Sequence, residues 1–151
     1  MNQTEIPLGD IVRSSLALTL PWAPSTNSYL QGYAVPNKAQ LLARLQGRNV
    51  RIPVTMALTD RAKTYRSDVI ACIVTAIGPI SSPIFTTPVR IDYEMRPPDR
   101  RRRDLSNYIK STEDALTNAK IWTDDVLVDE FTVRRGKVIT GGQIIVIITA
   151  L

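Results

Sequence analysis

Between residues 98 and 125 the chain gathers most of the side chains able to do chemistry. It reads Pro98-Asp99-Arg100-Arg101-Arg102-Arg103-Asp104-Leu105-Ser106-Asn107-Tyr108-Ile109-Lys110, then Asp114-Ala115-Leu116, then Trp122-Thr123-Asp124-Asp125. Two carboxylates from separate elements make a minimal Mg²⁺ site, because this cation keeps several waters and takes few protein ligands. Held there, it activates a water or stabilises the leaving oxygen of a phosphodiester. Lys110 would then offer a fixed positive charge to the phosphate as its negative charge grows. If Asp104 caps a helix over residues 105–119, Ser106, Lys110 and Glu113 project along one flank that starts beside it. Asp124-Asp125, after a short turn, then folds back to the same helix entrance. Asp104 combines cap and metal ligand only if one of its oxygens stays free.

Each of these residues also has a plainer reading. Asp104 serves as an ordinary N-cap, Asp124-Asp125 as a solvated turn, and Lys110 as one more cation on a polar helix face. The four consecutive arginines are harder to explain without a polyanion, since adjacent like charges repel one another. Charge is also unevenly distributed. Of the 14 carboxylates, ten lie in the 39 residues from 92 to 130, while the 19 Lys and Arg are spread along the chain and leave it at +5. Residues 131–151 hold three bases and no acid. Carboxylates beside a basic strip suit a metal-dependent site that faces phosphates.

The elements that must position these groups follow from periodicity. Ser15 to Leu20 alternates apolar with polar or small residues and is stopped by Pro21, which predicts a strand. The Pro, Ser and Asn of residues 21–28 predict a loop. The spacing from Ala39 to Leu45 is helical, but Gly32, Pro36 and Gly47 keep any helix there short, and residues 50–58 supply a strand with Pro53 at its start or on an edge. From Thr59 a long helix is expected, capped by Thr59 or Asp60, with Tyr65, Val69, Cys72, Ile73 and Ala76 as its apolar stripe and Gly78-Pro79 as its stop. Val89, Ile91, Tyr93 and Met95 form the inward face of a half-buried strand. The helix over 105–119 turns Leu105, Ile109, Leu116 and Ala119 inward and Ser106, Lys110, Glu113 and Thr117 outward. Two closing strands, 126–133 and 143–149, are expected to form a hairpin through Gly136 or Gly141-Gly142. The result is a single α+β domain over residues 1–151, with a mixed and mostly hairpin-connected sheet and two main helices packed on it. Residues 1–14 read as a loose N-terminal extension.

Composition excludes several classes. The chain has 151 residues, one Cys (Cys72) and no His. It can bury a core without a metal or disulfide staple, and Ser-His-Asp, Cys-His and His-ligated zinc chemistry are ruled out. No apolar run approaches the ~20 residues of a membrane span, and Glu5, Asp10 and Arg13 precede any apolar stretch, unlike a signal peptide.

The joint pattern resembles the RusA family of phage-type Holliday junction resolvases. The match is carried by Asp-Arg-Arg-Arg-Arg-Asp-Leu-x-Asn at 99–107, Lys110, Asp114-Ala115-Leu116-Thr117 and Trp122-x-Asp124-Asp125. Leu18-Thr19-Leu20-Pro21-Trp22-x-Pro24-Ser25-x-Asn27 and Tyr65-Arg66 extend it over most of residues 15–150. Residues 30–58 align poorly and read as an enlarged hairpin or insertion. The resemblance implies a homodimeric endonuclease that binds four-way DNA junctions and, with Mg²⁺ or Mn²⁺, cuts two opposed strands symmetrically in recombination and repair. Two-fold symmetry suits that task, since it sets one site on each of two like strands. Carried over, Asp104 and Asp125 are catalytic metal carboxylates, Lys110 is the essential lysine, and Asp124 is a secondary metal candidate. Arg100, Arg101, Arg102, Arg103, Asn27 and Arg66 are the expected DNA contacts. By the same analogy the chain works in the cytoplasm, associated with the nucleoid, and is of phage or prophage origin.

One position departs from the pattern. The family has a second acidic residue two positions after the first, and here that residue is Ser106, a neutral and weaker ligand. Either the chain cuts by using Ser106 through water or by recruiting Asp99 or Asp124, or it binds junctions with cleavage impaired, or the change is engineered.

Overall fold

Alternation of apolar and polar residues gives this protein its sheet, and 3.6-residue spacing gives it the helices that cover one face. The computed structural model describes residues 14–151; the expected N-terminal extension, Ser14 apart, lies outside the described residues. In chain order the elements are β1 (Ser15–Pro21), β2 (Leu30–Ala34), α1 (Lys38–Leu45), β3 (Val54–Leu58), α2 (Asp60–Ile77), β4 (Val89–Arg96), α3 (Ser106–Asn118), β5 (Val128–Arg135) and β6 (Gln143–Ala150). Single 3₁₀ turns lie at Thr26–Ser28 and Asp125–Leu127. This is the expected α+β class with a mixed sheet.

The main sheet has the order β1-β6-β4-β5. β6 runs antiparallel to both β1 and β4, whereas β4 and β5 are parallel. Its inward residues are Leu16, Leu18 and Leu20 from β1, Val89, Ile91, Tyr93 and Met95 from β4, and Ile144, Val146 and Ile148 from β6, all buried. Tyr65, Val69 and Ile73 of α2 and Ala115 and Leu116 of α3 close over them. Each large aliphatic side chain so buried contributes roughly 1.5–3 kcal/mol.

Two expectations about the sheet need correction. The last two strands do not form a hairpin, because β4 lies between them. Nor are the strands of the main sheet mostly hairpin-connected: β4 and β5 are joined through α3 as a parallel crossover, and β1 pairs with a strand more than a hundred residues away. The buried triplet Ile144, Val146 and Ile148 requires a place between two strands, and residues 136–142 are long enough to pass over the end of β4. Along that path Gly136 N–H donates to Met95 O at 2.8 Å and Ile139 N–H to Pro97 O at 2.9 Å. The crossing ends at Gly142, whose φ of +71° favours glycine and where a Cβ would meet that of Trp22 at 2.9 Å. β5 starts at Val128 and not at Val126, because Asp124 opens a 3₁₀ turn by accepting from Val126 N–H at 3.1 Å.

α2 begins where expected, with Thr59 Oγ1 accepting from Ala62 N–H at 3.2 Å. Its inner stripe is Ala62, Tyr65, Val69 and Ile73; Ala76 is exposed, and Ile77 packs on the core in its stead. On α3 the innermost face holds two hydroxyls. Ser111 donates to Pro24 O at 2.6 Å, and Thr112 donates to Tyr108 O at 2.8 Å while lying 3.4 Å from the Tyr65 hydroxyl. Glu113 and Thr117, expected outward, are partly buried: Tyr93 donates to Glu113 Oε1 at 3.3 Å, and Trp122 Nε1 donates to Thr117 Oγ1 at 2.6 Å. These tethers fix both ends of α3 and the turn beyond it.

β2 and β3 form a separate antiparallel pair, with α1 in the connection between them. Asn37 and Gln40 form a reciprocal capping box at the start of α1. No residue of β2, α1 or the connection from 35 to 53 is buried.

Candidate active site

α3 carries the chemistry because its flank toward the 125–127 turn is polar at every step of the helical repeat. Lys110 lies at the centre. Its Nζ is 2.5 Å from Asp125 Oδ2 and 2.9 Å from Asp114 Oδ1, one residue a full turn further along α3 and the other on the turn leading to β5. The two carboxylates raise the Lys110 pKa, Asp125 foremost, and Lys110 in turn is the main cause that lowers the Asp125 pKa. At neutral pH Lys110 and Asp125 are therefore both charged. It opens into a cavity of about 370 Å³ lined by Arg66, Lys110, Asp114, Thr117, Asn118, Asp124 and Asp125.

Arg66 reaches this cavity from α2. Its Nε donates to the Tyr29 hydroxyl at 2.9 Å, and its guanidinium carbon stands 5.6 Å from the centre of the Tyr29 ring. Tyr29 is itself buried, and that burial raises its pKa despite Arg66, so its hydroxyl stays protonated. Arg66 is thus held in place by Tyr29, and it forms no ion pair among the described residues.

Asp104 stands at the other end of α3's first turns. Its Oδ1 accepts from Ser106 N–H at 3.1 Å and from Ser106 Oγ at 2.8 Å, so it caps the helix as its position suggests. Both bonds use the same oxygen, and Oδ2 has no hydrogen-bond partner among the described residues. Cap and ligand roles are therefore compatible. Asp104 does not line the cavity that holds Asp125. From Asp104 to Asp114 the chain climbs roughly 15 Å along the helix. Among the described residues no three Asp, Glu or Cys side chains converge on one point. The donor set is nevertheless one of hard carboxylate oxygens, the chemistry of Mg²⁺ or Mn²⁺ bound through one or two side chains and water.

The arginine run divides into two parts. Arg103 is largely covered and is held by Asp99, with Nη1 2.5 Å from Oδ1 and Nη2 2.9 Å from Oδ2. That pairing holds the Asp99 carboxyl well below the usual range, chiefly through Arg103, and leaves Asp99 occupied. Arg101 spends its backbone N–H on Asp99 Oδ1 at 2.8 Å. Arg100 and Arg102 are exposed and form no ion pair among the described residues. Asn27 is exposed on the 3₁₀ turn next to α3, where Thr26 Oγ1 donates to Asn107 Oδ1 at 3.4 Å.

The structure thus brings Lys110, Asp124, Asp125 and Arg66 together, and sets Asp104 with Ser106, the exposed arginines and Asn27 around the start of α3. Asp114 is the functional candidate that residue-by-residue reasoning passed over. The signal was its i,i+4 spacing from Lys110 on one helix face.

Comparison with known proteins agrees with the motifs. The family described as Endodeoxyribonuclease RusA matches residues 36–149. A crossover junction endodeoxyribonuclease RusA of Escherichia coli is 33% identical over 138 residues, which span 91% of this chain and 97% of the relative. The same identity and coverage hold for a protein of that name from Shigella sonnei. A crossover junction endodeoxyribonuclease rusA from Enterobacteria phage 82 is 33% identical over 134 residues, 89% of this chain and 93% of the relative.

Proposed function

The chain belongs to the RusA family of endodeoxyribonucleases, and on that premise we propose that it resolves four-way DNA junctions by paired hydrolysis of phosphodiesters on opposed strands, with Mg²⁺ as cofactor. The observation that carries this reading is the Lys110 ammonium held between Asp114 and Asp125 in a cavity that Arg66 also lines. In this reading Lys110 and Arg66 would meet one phosphate, beside carboxylate oxygens that suit a metal ion.

In this mechanism Arg66, fixed by Tyr29, and Lys110 bind the non-bridging oxygens of the scissile phosphate. Lys110 gains interaction as charge accumulates there, which is the kind of differential binding that lowers a barrier. Asp125, with Asp124 in support, would hold the cation, Asp104 would join them from the start of α3 through a water on its free Oδ2, and the cation would supply an activated water at neutral pH. Asp114 keeps the Lys110 side chain aimed at the cavity whenever Asp125 is engaged elsewhere. Arg100 and Arg102 grip neighbouring phosphates, and Asn27 meets the strand where the 3₁₀ turn abuts α3. A homodimer would carry one such cavity per opposed strand. No helix among the described residues is long and apolar enough to cross a membrane, and a cytoplasmic, nucleoid-associated, phage-derived role accords with this reading.

A second reading rests on Ser106. Its hydroxyl spends itself on Asp104 Oδ1 and brings no charge, so the cation would be held more weakly and the chain would bind junctions while cutting poorly. One experiment separates the two: strand cleavage of a synthetic four-way junction beside a linear duplex of the same sequence, with Mg²⁺, with Mn²⁺ and with chelator. The resolvase reading expects symmetric nicks in the junction alone, lost with chelator and in Asp104→Asn. Tight junction binding with no cuts under either metal, and a gain of cutting in Ser106→Asp, would establish the second. Equal nicking of the duplex would overturn both.

A further inference from the structure

We propose that the open groove at the carboxyl ends of β4 and β5, walled by Arg96, Arg134, Arg135 and Lys137, is a second binding surface for sugar–phosphate backbone and takes a duplex arm of the DNA away from the cutting cavity. The inference rests on the reading above that the substrate is branched DNA. The groove has a volume of about 780 Å³, against about 370 Å³ for the cavity around Lys110. Among the described residues that line it, Glu94 is the only acid.

Glu94 does not cancel the groove's charge; it organises it. The carboxylate is mostly covered and holds two guanidinium groups at once, Arg96 Nε at 2.6 Å and Arg134 Nη2 by a short ion pair. One acid against two bases leaves a positive pair in a fixed orientation, to which Arg135 and Lys137 add their own charges. Lys137 is exposed and forms no ion pair among the described residues. Gly136 also lines the groove. At Gly136 a Cβ would lie 2.8 Å from Arg96 Cγ and 2.9 Å from Glu94 Cγ, so a side chain there would displace the walls.

Two further observations indicate a long polyanion in preference to a small one. Arg135 Nη2 donates to the Arg103 carbonyl at 2.7 Å, which ties the end of β5 to the end of the arginine run. The exposed Arg100 and Arg102 are thereby continuous with Arg135 and Lys137 in one basic band. DNA carries a charge roughly every 1.7 Å of duplex axis, the ligand that repays such a band. The second observation concerns direction. Glu94 and Arg96 alternate along β4 with Tyr93 and Met95, which face the helices, so Glu94, Arg96 and Arg134, which stands opposite Glu94, open the groove on the far face of the sheet from α3, while Arg135, opposite Met95, lies on the α3 side and links that face to the arginine run. Backbone bound there belongs to a different stretch of DNA from the strand at Lys110, and a branched substrate sends out such an arm.

The test is the salt dependence of binding, measured by fluorescence anisotropy in chelator from 50 to 200 mM salt, on a four-way junction and on a linear duplex. Lys137→Gln should make the junction slope of log K against log salt shallower by about one, the share of one phosphate contact. The double variant Arg135→Gln with Lys137→Gln should remove about two, with a smaller change on the duplex. Lys137→Glu, which leaves the Arg135 tie to Arg103 intact, should weaken junction binding further than Lys137→Gln. Circular dichroism confirms that each variant is folded. An unchanged junction slope in Lys137→Gln and Lys137→Glu overturns the groove, and equal loss on junction and duplex overturns its assignment to a separate arm. Because binding is read without metal, a parent protein that fails to cut leaves this test standing. A parent that cuts junctions while the slopes stay fixed removes the groove alone.

Discussion

Asp125→Asn separates the cost to the fold from the cost to the chemistry more cleanly than any other single change. The amide keeps the shape of the side chain and removes the charge that Lys110 holds in its ionised form. In the parent, Lys110 Nζ has two carboxylates, Asp125 at 2.5 Å and Asp114 at 2.9 Å, so the variant leaves it with one partner and strands no buried cation. The Lys110 and Asp125 side chains are 56% and 35% exposed. A solvated pair of that kind is worth about 0.2–1 kcal/mol. At 2–4 °C per kcal/mol for a chain of this size, the melting temperature should fall by no more than about 4 °C. Cutting should fall by at least about 10²–10³-fold, the loss typical of removing one preorganised electrostatic group. Junction affinity in chelator should hold or tighten, because one negative charge has left the surface that meets phosphate. Single-turnover cleavage with Mg²⁺, anisotropy in chelator and a thermal melt read the three quantities. Cutting within threefold of the parent would refute the role given to Asp125. A melting temperature lowered by more than about 10 °C would refute the premise that the cluster is peripheral to the fold.

Two other predictions concern groups tied to α3. Ser111 is fully buried and donates to Pro24 O at 2.6 Å; Ser111→Ala leaves that carbonyl without its donor, at a cost of about 1–3 kcal/mol, and a melt should show a drop of roughly 2–12 °C. Burial raises the Glu113 pKa in spite of the Tyr93 hydrogen bond and Lys110. The folded chain therefore binds this proton more readily than the unfolded one, and the associated stability, full at acid pH, is lost as pH rises through the folded-state pKa. Glu113→Gln should thus gain on the parent between pH 4.5 and pH 8, and a melting-temperature difference that stays constant over that range would count against burial as the cause.

How far the sequence could be read depended on which interactions are local. Strands β1 and β4 show their inward residues by simple alternation, and α2 shows its start through Thr59 and its stop through Gly78-Pro79, so these were legible. Strand order was not. The turn chemistry of Gly136 and Gly141-Gly142 suits a hairpin, and only the demand of Ile144, Val146 and Ile148 for neighbours on both sides moves β6 across β4. The inner face of α3 is legible only in part: Leu116 and Ala119 are buried as their spacing predicts, whereas Ser111 and Thr112 look polar along the chain, and each finds a partner that makes burial tolerable. At the candidate site the motif residues were recognised, and the capping role of Asp104 followed from its position. Not legible in the sequence are the double grip of Asp114 and Asp125 on Lys110, the pairing of Arg103 with Asp99, and the support of Arg66 by Tyr29. Each depends on where a flexible side chain finds its partner, which residue spacing does not specify.

The position of β6 between β1 and β4 has a consequence in time. As the chain leaves the ribosome, the arginine run, Asp104, Lys110 and Asp125 all emerge before residues 143–150, yet β4 has no antiparallel neighbour until those residues arrive. A nascent chain ending at Gly142 carries every group assigned to cutting, but β1 and β4 remain unjoined, and α2 and α3 lack the middle strand of the surface on which they pack. Pairing at such sequence separation is costly to close and late to form. The catalytic constellation therefore depends on the strand translated after it, and a prematurely terminated chain would carry the nuclease's charges without the sheet that organises them.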